Sequence, residues 1–428
     1  MAETGSARVD SVVSRTVSLT VDAIAAGGDG VGRSEGLVVF VPRTAPGDVI
    51  TASIAGKGHF ARGALRTILR PSPDRIEPPC PHYTHDRCGG CQIQHMQYLS
   101  QLSAKQRIIV DAMSRIGKRQ IDAPEVVASE SEWRYRSKLT LAMRRRPGGW
   151  IAGLHPYDDP AAVFALADCL ITDSRVVSTW REILAASEFF PQASSLRGSV
   201  RWTDDGPTFV LTGGTRWSDH DRFFEAVPAL CALYWERDGA ARQLLDDRRA
   251  RATPAASFGQ VNPVVAKVLH EYMFGRVISF QPTSVIDAYS GAGALSAGLA
   301  SVGVTVTAIE LDRDAARWAE QLLAPPSRSI AGRVEEVLPR IQPADVVVLN
   351  PPRSGVHADV TAYLEQSSST RAIVYISCDP ATLARDVARL PSHAIQSIRA
   401  FDMFPQTAHV ETVCVLVPAR TVAIQEGS

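Results

Sequence analysis

The feature that most limits what this chain can become is a rhythm in its C-terminal part. Beyond about Arg251, short apolar runs at 284–289, 304–310, 345–350, 372–377 and 411–417 alternate with stretches of helical character. Runs of that length suit buried strands, and strands separated by helices predict a parallel sheet covered on both faces. An α/β, doubly wound domain is therefore expected over 251–428. In such sheets ligands bind outside the carboxyl ends of the strands, where the strand order reverses.

A different rhythm fills the N-terminal region. Runs at 18–23, 37–42, 48–54 and 61–69 alternate apolar and polar residues and are broken by turns such as Gly27-Gly28-Asp29-Gly30. Short strands packed so densely predict a small closed β-barrel of the OB type, assigned to 10–71. No acidic residue occurs between 51 and 73, whereas Lys57, Arg62, Arg66 and Arg70 do, so one barrel face should be basic. Lys57 and Arg62 are its candidate RNA contacts. Pro71, Pro73, Pro78, Pro79 and Pro81 then stiffen the path into a central region, 72–250. There a helix is expected over 100–116, its neighbourhood packing on the C-terminal domain, with strand patterns at 137–171 and 200–211. The stretch 134–146 holds six cations and no anion, and its Arg134, Arg136 and Lys138 are candidates for contact with an RNA backbone.

Composition narrows the class without choosing a function. A chain of 428 residues has room for roughly two to four domains. Its 45% hydrophobic and 21% charged residues exclude a disordered or fibrous chain. Since 45 basic residues balance 45 acidic ones, attraction to nucleic acid must come from local clusters. No apolar run approaches the ~18 residues of a membrane helix, and the first ten residues lack a signal-peptide core, so a cytosolic location is expected. There the seven cysteines would stay reduced.

Val285-Ile286-Asp287-Ala288-Tyr289-Ser290-Gly291-Ala292-Gly293 reads as a buried strand, a glycine turn and a helix start. Gly291 and Gly293 allow a ligand close to the backbone. Glu310, ending the next strand, is placed to accept hydrogen bonds from ribose hydroxyls. Where a dinucleotide site would have a third glycine the chain has Ser296, so S-adenosylmethionine is the expected ligand. Asn350-Pro351-Pro352-Arg353 ends another strand at the same crevice.

Tyr375-Ile376-Ser377-Cys378-Asp379-Pro380 places a thiol where a buried strand must stop, because Pro380 cannot continue a central ladder. A thiolate there answers a chemical need. Carbon 5 of a pyrimidine becomes nucleophilic only when something adds to carbon 6, and a base must later remove the carbon 5 proton. Glu411, at the start of the last strand, is the carboxylate best placed for that step. Cys231 and Cys414 read as core residues.

Cys80, Cys88 and Cys91, with Cys169 far downstream, supply four soft ligands. Their uneven layout favours a [4Fe-4S] cluster over zinc, although spacing alone does not choose Cys169 over Cys231.

With these residues in view, the chain resembles the RNA 5-methyluridine methyltransferases, specifically the iron-sulfur branch with an N-terminal TRAM domain that modifies 23S ribosomal RNA. The resemblance runs through Cys80-x7-Cys88-Gly89-Gly90-Cys91-x2-Gln94, Trp133-Arg134-Tyr135-Arg136-Ser137-Lys138 and Phe258-Gly259-Gln260-Val261-Asn262. It continues through the glycine turn, Asn350-Pro351-Pro352-Arg353, Ser377-Cys378-Asp379-Pro380 and His409-Val410-Glu411. It implies a Rossmann-like methyltransferase domain, a central α+β domain with the cluster, and a TRAM barrel. It further implies that Cys378 is the nucleophile, Glu411 the base, and Gln260, Tyr289 and Glu310 contacts to S-adenosylmethionine. Cys80, Cys88, Cys91 and Cys169 would hold a structural, RNA-facing cluster. RNA is the expected partner of a monomeric enzyme, 23S ribosomal RNA before transfer RNA, the alternative being a catalytically weakened RNA-binding protein. Two positions depart from the family pattern: Asn350 stands where aspartate is usual, and Ala294 where a cofactor-contacting asparagine is frequent. Asn350 keeps hydrogen-bonding capacity toward the cofactor but carries no charge.

Overall fold

The computed structural model describes residues 15–55, 59–250 and 259–419. Lys57 lies outside them. The chain divides into two compact units. The smaller comprises Met1–Pro79, Cys91–Ala104 and Gln406–Ala408; the larger comprises Cys80–Gly90, Lys105–Pro405 and His409–Ser428.

Within the smaller unit, five strands close a barrel: Arg15–Ile24, Gly30–Ser34, Leu37–Val41, Val49–Ala55 and Phe60–Arg70. Alternation along each strand turns Val17, Leu19, Val21, Val39, Val41 and Ile50 inward. The barrel is buttressed by Asp48, whose fully buried carboxylate accepts the Ser72 backbone N–H at 2.8 Å and Arg75 Nη2 at 2.6 Å. Burial opposes its charge, but Arg75 and the backbone donors hold its pKa below the usual range.

The larger unit contains two sheets. Seven strands run in the order Gln243–Asp247, Ala232–Glu236, Gly206–Thr212, Ser195–Thr203, Lys138–Arg146, Gly149–Leu154 and Phe164–Ala165. One face, bearing Leu139, Leu141, Leu196, Val200 and Phe209, is covered by Val176, Trp180 and Ile183 of the helix Ser174–Ala185. The helix lies between the strand patterns expected at 137–171 and 200–211.

The eight-stranded sheet runs Arg328–Ala331, Thr305–Glu310, Ser284–Ala288, Val346–Leu349, Ala372–Ser377, Glu411–Pro418, His393–Phe401 and Val126–Val127. The first five are mutually parallel, and their order reverses between Ser284–Ala288 and Val346–Leu349. Helices cover both faces, as the alternation of runs implied. Val265, Leu269 and Met273 of Pro263–Ile278 pack against Val285, Val346 and Val374 on one side. Ile109, Met113, Val360 and Leu383 pack against Ile286, Leu349 and Tyr375 on the other. The last strand corrects the all-parallel expectation: Glu411–Pro418 is antiparallel to both its neighbours. Its preceding partner, His393–Phe401, turns back into it without a crossover helix, so the chain returns through the sheet in reverse. No helix among the described residues is long and apolar enough to cross a membrane.

Candidate active site

At the reversal point the strand Ser284–Ala288 gives way to a turn with Tyr289, Gly291 and Gly293 at positive φ (61°, 56° and 78°). Glycine is needed at 293 because a Cβ there would come within 2.6 Å of Ala319 Cβ. At Gly291 the position a Cβ would take has no atom within 4 Å, leaving an open cradle at the helix start. The Gly291 N–H donates to Glu310 Oε2 at 2.8 Å, while Glu310 Oε1 accepts from the Asp312 N–H at 2.8 Å. Each oxygen keeps a lone pair for a further donor, which suits a ribose hydroxyl. The turn, its open cradle and this acid fit S-adenosylmethionine.

Ser296 has its own task here. Its hydroxyl donates to Asp287 Oδ2 at 2.6 Å, and Asp287 is buried beneath the turn. Burial pushes the Asp287 carboxyl up to about 6 despite that bond. Tyr289 is half-buried, and burial, then the Glu335 and Asp386 carboxylates, raise its hydroxyl to about 12.

Cys378 follows the strand Ala372–Ser377 and precedes the helix Pro380–Ala388. Asp379 caps that helix, accepting from the Ala381 and Thr382 N–H groups at 2.9 and 3.0 Å, with Pro380 in the first turn. Ser377 Oγ donates to the Asp379 carbonyl at 3.0 Å, fixing the thiol between strand and helix. The antiparallel ladder ends with Ser377 paired to Thr412, so Cys378 and Glu411 come next at the same end of the two strands, and the Glu411 charge reaches the thiol. Burial, and then the Glu411 charge, push the Cys378 thiol up to about 11, while Arg353 pulls it down.

Glu411 is 3% exposed. Its Oε1 accepts from Gln260 Nε2 at 2.8 Å; its Oε2 is buried with no protein partner among the described residues. Burial raises its pKa to about 7, opposed by Gln260 and Arg353. A carboxylate with that pKa is matched to proton abstraction near neutrality. Gln260, expected as a cofactor contact, is here the hydrogen-bond partner of Glu411.

The loop after Val346–Leu349 is tied to the same centre. Asn350 donates its backbone N–H to the Ala288 carbonyl at 3.2 Å, beside the glycine turn. Fully buried Asp386, which sequence reading did not single out, accepts Tyr375 Oη at 2.8 Å, the Val356 N–H at 3.0 Å and Arg385 Nε at 2.9 Å. Arg385 also donates to the Ser354 carbonyl at 2.8 Å, so helix and loop move as one. Lys105 and Asp402, both fully buried, form an ion pair at 2.5 Å, and Lys105 Nζ reaches the Phe404 carbonyl at 3.1 Å. The pair steadies the segment leading to Glu411. The two residues are 297 positions apart, so no local pattern could have revealed it.

No cysteine among the described residues is in a disulfide. Cys80 and Cys88 are buried and Cys169 half-buried in the larger unit; Cys91 belongs to the smaller. Cys80 lies close enough to Cys169 to add to the upward pressure that burial puts on its thiol. Cys88 Sγ accepts the Gly90 N–H at 3.4 Å, the kind of contact that supports a metal-bound thiolate. Arg134 is engaged within the protein. Its guanidinium grips Asp168 at 2.6 and 2.8 Å and the Cys169 carbonyl at 3.0 Å, bracing the Cys169 loop. Arg136 is half-buried and donates to the Lys138 carbonyl at 2.8 Å. Arg62 is exposed on its strand, 3.8 Å from Asp29.

A family model described as tRNA (Uracil-5-)-methyltransferase matches residues 333–419, which include Asn350, Cys378 and Glu411. An uncharacterized RNA methyltransferase of Listeria monocytogenes is 30% identical, covering 94% of this chain and 97% of its own length. One from Gloeobacter violaceus is 31% identical over 94% of this chain and 96% of its own. Among solved structures, the tRNA (uracil-54, C5)-methyltransferase of Pyrococcus abyssi, in complex with S-adenosyl-L-homocysteine, superposes with a TM-score of 0.69 at 22% identity. That likeness of fold covers 93% of this chain and 99% of the other.

Proposed function

This chain belongs to the RNA (uracil-5-)-methyltransferase family, and from that premise we propose that it methylates carbon 5 of a uridine through a covalent bond to Cys378. What supports the reading most is the ladder that ends at Ser377 and Thr412, bringing Cys378 and buried Glu411 to the same end of the sheet. Deprotonated Cys378 adds to carbon 6 of the uracil, and the carbon 5–carbon 6 π pair moves onto carbon 5. Bound S-adenosylmethionine supplies the electrophilic methyl group, which carbon 5 takes as the methyl–sulfur bond breaks. Ionised Glu411 then removes the carbon 5 proton. The released pair rebuilds the double bond, and the Cys378 sulfur leaves as thiolate. Gln260 orients the carboxylate, while Tyr289, Gly291, Gly293, Glu310 and Asn350 line the cofactor end of the crevice.

Cys80, Cys88, Cys91 and Cys169 are read as ligands of a [4Fe-4S] cluster, supported by their soft donor chemistry and by the braced Cys169 loop. The barrel with this cluster favours 23S ribosomal RNA as the target class. Regions 10–71, 72–250 and 251–428 are correspondingly read as barrel, cluster and methyltransferase domains.

Trapping tests the mechanism. RNA carrying 5-fluorouridine has no carbon 5 proton to lose, so the wild type should form a stable protein–RNA adduct with S-adenosylmethionine present. Cys378→Ala should form none yet still bind S-adenosylmethionine. An adduct that survives Cys378→Ala would overturn the assignment. Mapping 5-methyluridine in cells lacking the protein would identify the RNA.

A further inference from the structure

We propose that the open face of the seven-stranded sheet is a phosphate-binding groove, where Lys138, Arg197, Arg201 and Arg242 hold the RNA backbone beside the catalytic carboxylate. The inference rests on the RNA-methylating reading above and adds a site to it. Strand register creates the groove. Lys138 is paired with Arg201 and Thr140 with Ser199 across two neighbouring strands, so these side chains share one face, opposite the face that carries Leu139 and Val200 into the core. Arg197 lies two residues before Ser199 on the same face, and Arg242 closes one side. Together they line a hollow of about 320 Å³ within the larger unit.

Its chemistry selects an anion. Four cations face a single carboxylate, Glu236, which lies 3.4 Å from Arg242. The crowding is strong enough that burial, followed by Arg201 and Arg242, pushes Lys138 down to about 8. A ligand rich in negative charge relieves that repulsion, and on the floor Thr140 Oγ1 donates to Ser199 Oγ at 3.0 Å, leaving the Ser199 hydroxyl to donate to it. Among the described residues lining the groove there is no aromatic ring, so it is not built to stack bases. A phosphodiester chain fits and a splayed base does not.

Position links the groove to the reaction. Arg201 Nη2 donates to the Gly259 carbonyl at 3.0 Å, and the adjacent Gln260 holds Glu411 at 2.8 Å. A Cβ at Gly259 would come within 2.4 Å of Arg201 Nη1, so any side chain there would displace the guanidinium from this position. Ser137, next to Lys138, donates its N–H to the Val261 carbonyl at 2.7 Å. A strand of RNA seated on these cations therefore lies along the segment that carries the partner of the base. Arg197, Arg201 and Arg242 are far apart in sequence from 134–146, and only the shared sheet face collects them.

The test measures binding of a labelled oligouridylate to the full-length protein over a series of salt concentrations. Arg197→Gln combined with Arg242→Gln removes two exposed cations, so the slope of log affinity against log salt should fall by about 1.4, at about 0.7 per phosphate contact. Affinity at moderate salt should drop by about tenfold. The paired lysine replacements, Arg197→Lys and Arg242→Lys, should restore the slope. Thr140→Glu, which sets a carboxylate on the floor without removing a cation, should weaken binding to a similar degree. An unchanged slope in both the glutamine and the Thr140→Glu proteins overturns the groove, and does so even where the wild type still forms its 5-fluorouridine adduct. Conversely, a lowered slope in a protein that forms no such adduct leaves the groove standing and removes the methylation chemistry.

Discussion

The two sheets of the larger unit use polar residues in opposite ways. At the strand ends of the eight-stranded sheet the working groups are buried: Glu411 is 3% exposed, Asp287 2% and Asp386 fully enclosed. Each has one to a few fixed partners. On the seven-stranded sheet the charges of Arg197 and Arg242 stand in solvent around an open hollow. The proposed functions account for the difference. Proton transfer near neutrality needs a carboxylate pKa moved upward, and at Glu411 desolvation supplies that shift. Holding a polyanion needs cations that remain charged and can exchange water for phosphate.

The largest test of this contrast is Glu411→Gln. It should slow turnover by about a hundred- to ten-thousandfold while methylated RNA accumulates bonded to Cys378, detected as a shifted band by denaturing electrophoresis. Free release of methylated RNA at the normal rate would remove Glu411 from the proton step.

Next comes the buried ion pair. Lys105→Met leaves Asp402 enclosed without its cation, and should cost about 3–5 kcal/mol in denaturant unfolding. Replacing both partners with apolar residues should recover most of that loss. A small effect of the single change would mean the interior tolerates charge far better than the site argument requires.

The pH dependence is a smaller effect with a definite sign. Because burial holds Glu411 near 7 in the folded protein against 4.5 as its ordinary value, the folded state binds the proton more tightly. Its contribution to stability is complete below pH 4.5 and is lost as pH rises through about 7. Thermal unfolding of wild type compared with Glu411→Gln across that window isolates it. The rate of release from the RNA adduct should run the other way, rising to a plateau above pH about 7. Replacing Gln260 by leucine removes the donor that lowers this pKa, so the rising limb should move to higher pH.

The smallest effect belongs to the exposed groove. Arg197→Gln and Arg242→Gln should each change unfolding stability by less than about 0.5 kcal/mol, as expected for solvated surface positions. A loss of several kcal/mol would make them structural and erase the contrast.

Much of the catalytic sheet was legible because its signals are local. A buried run, a glycine turn and a strand-ending cysteine are each written within a few consecutive residues, and the structure sets them where those patterns point. The direction of the last strand was not legible, since an apolar run reads the same in both directions. Yet that direction matters most: only a strand starting at the carboxyl end of its neighbours brings its first residue, Glu411, to Cys378. The central region was read less fully. The six cations at 134–146 look like one patch in sequence, but Arg134 is turned to Asp168 and Lys138 to the groove, because alternation and a positive φ at Arg134 separate them. Asp386 and the Lys105–Asp402 pair depend on meetings between distant segments, which no windowed pattern encodes.

Placing the thiol and the carboxylate just past the last paired rung, Ser377 with Thr412, ties their separation to interstrand spacing rather than to a long loop. Such a ruler tolerates drift elsewhere. Lengthening the connection before Glu411 would leave the gauge intact, whereas inserting one residue inside the final strand would reverse its faces and aim downstream side chains the wrong way. On the proposed mechanism, everything that meets the RNA can be reshaped without recalibrating Cys378 against Glu411.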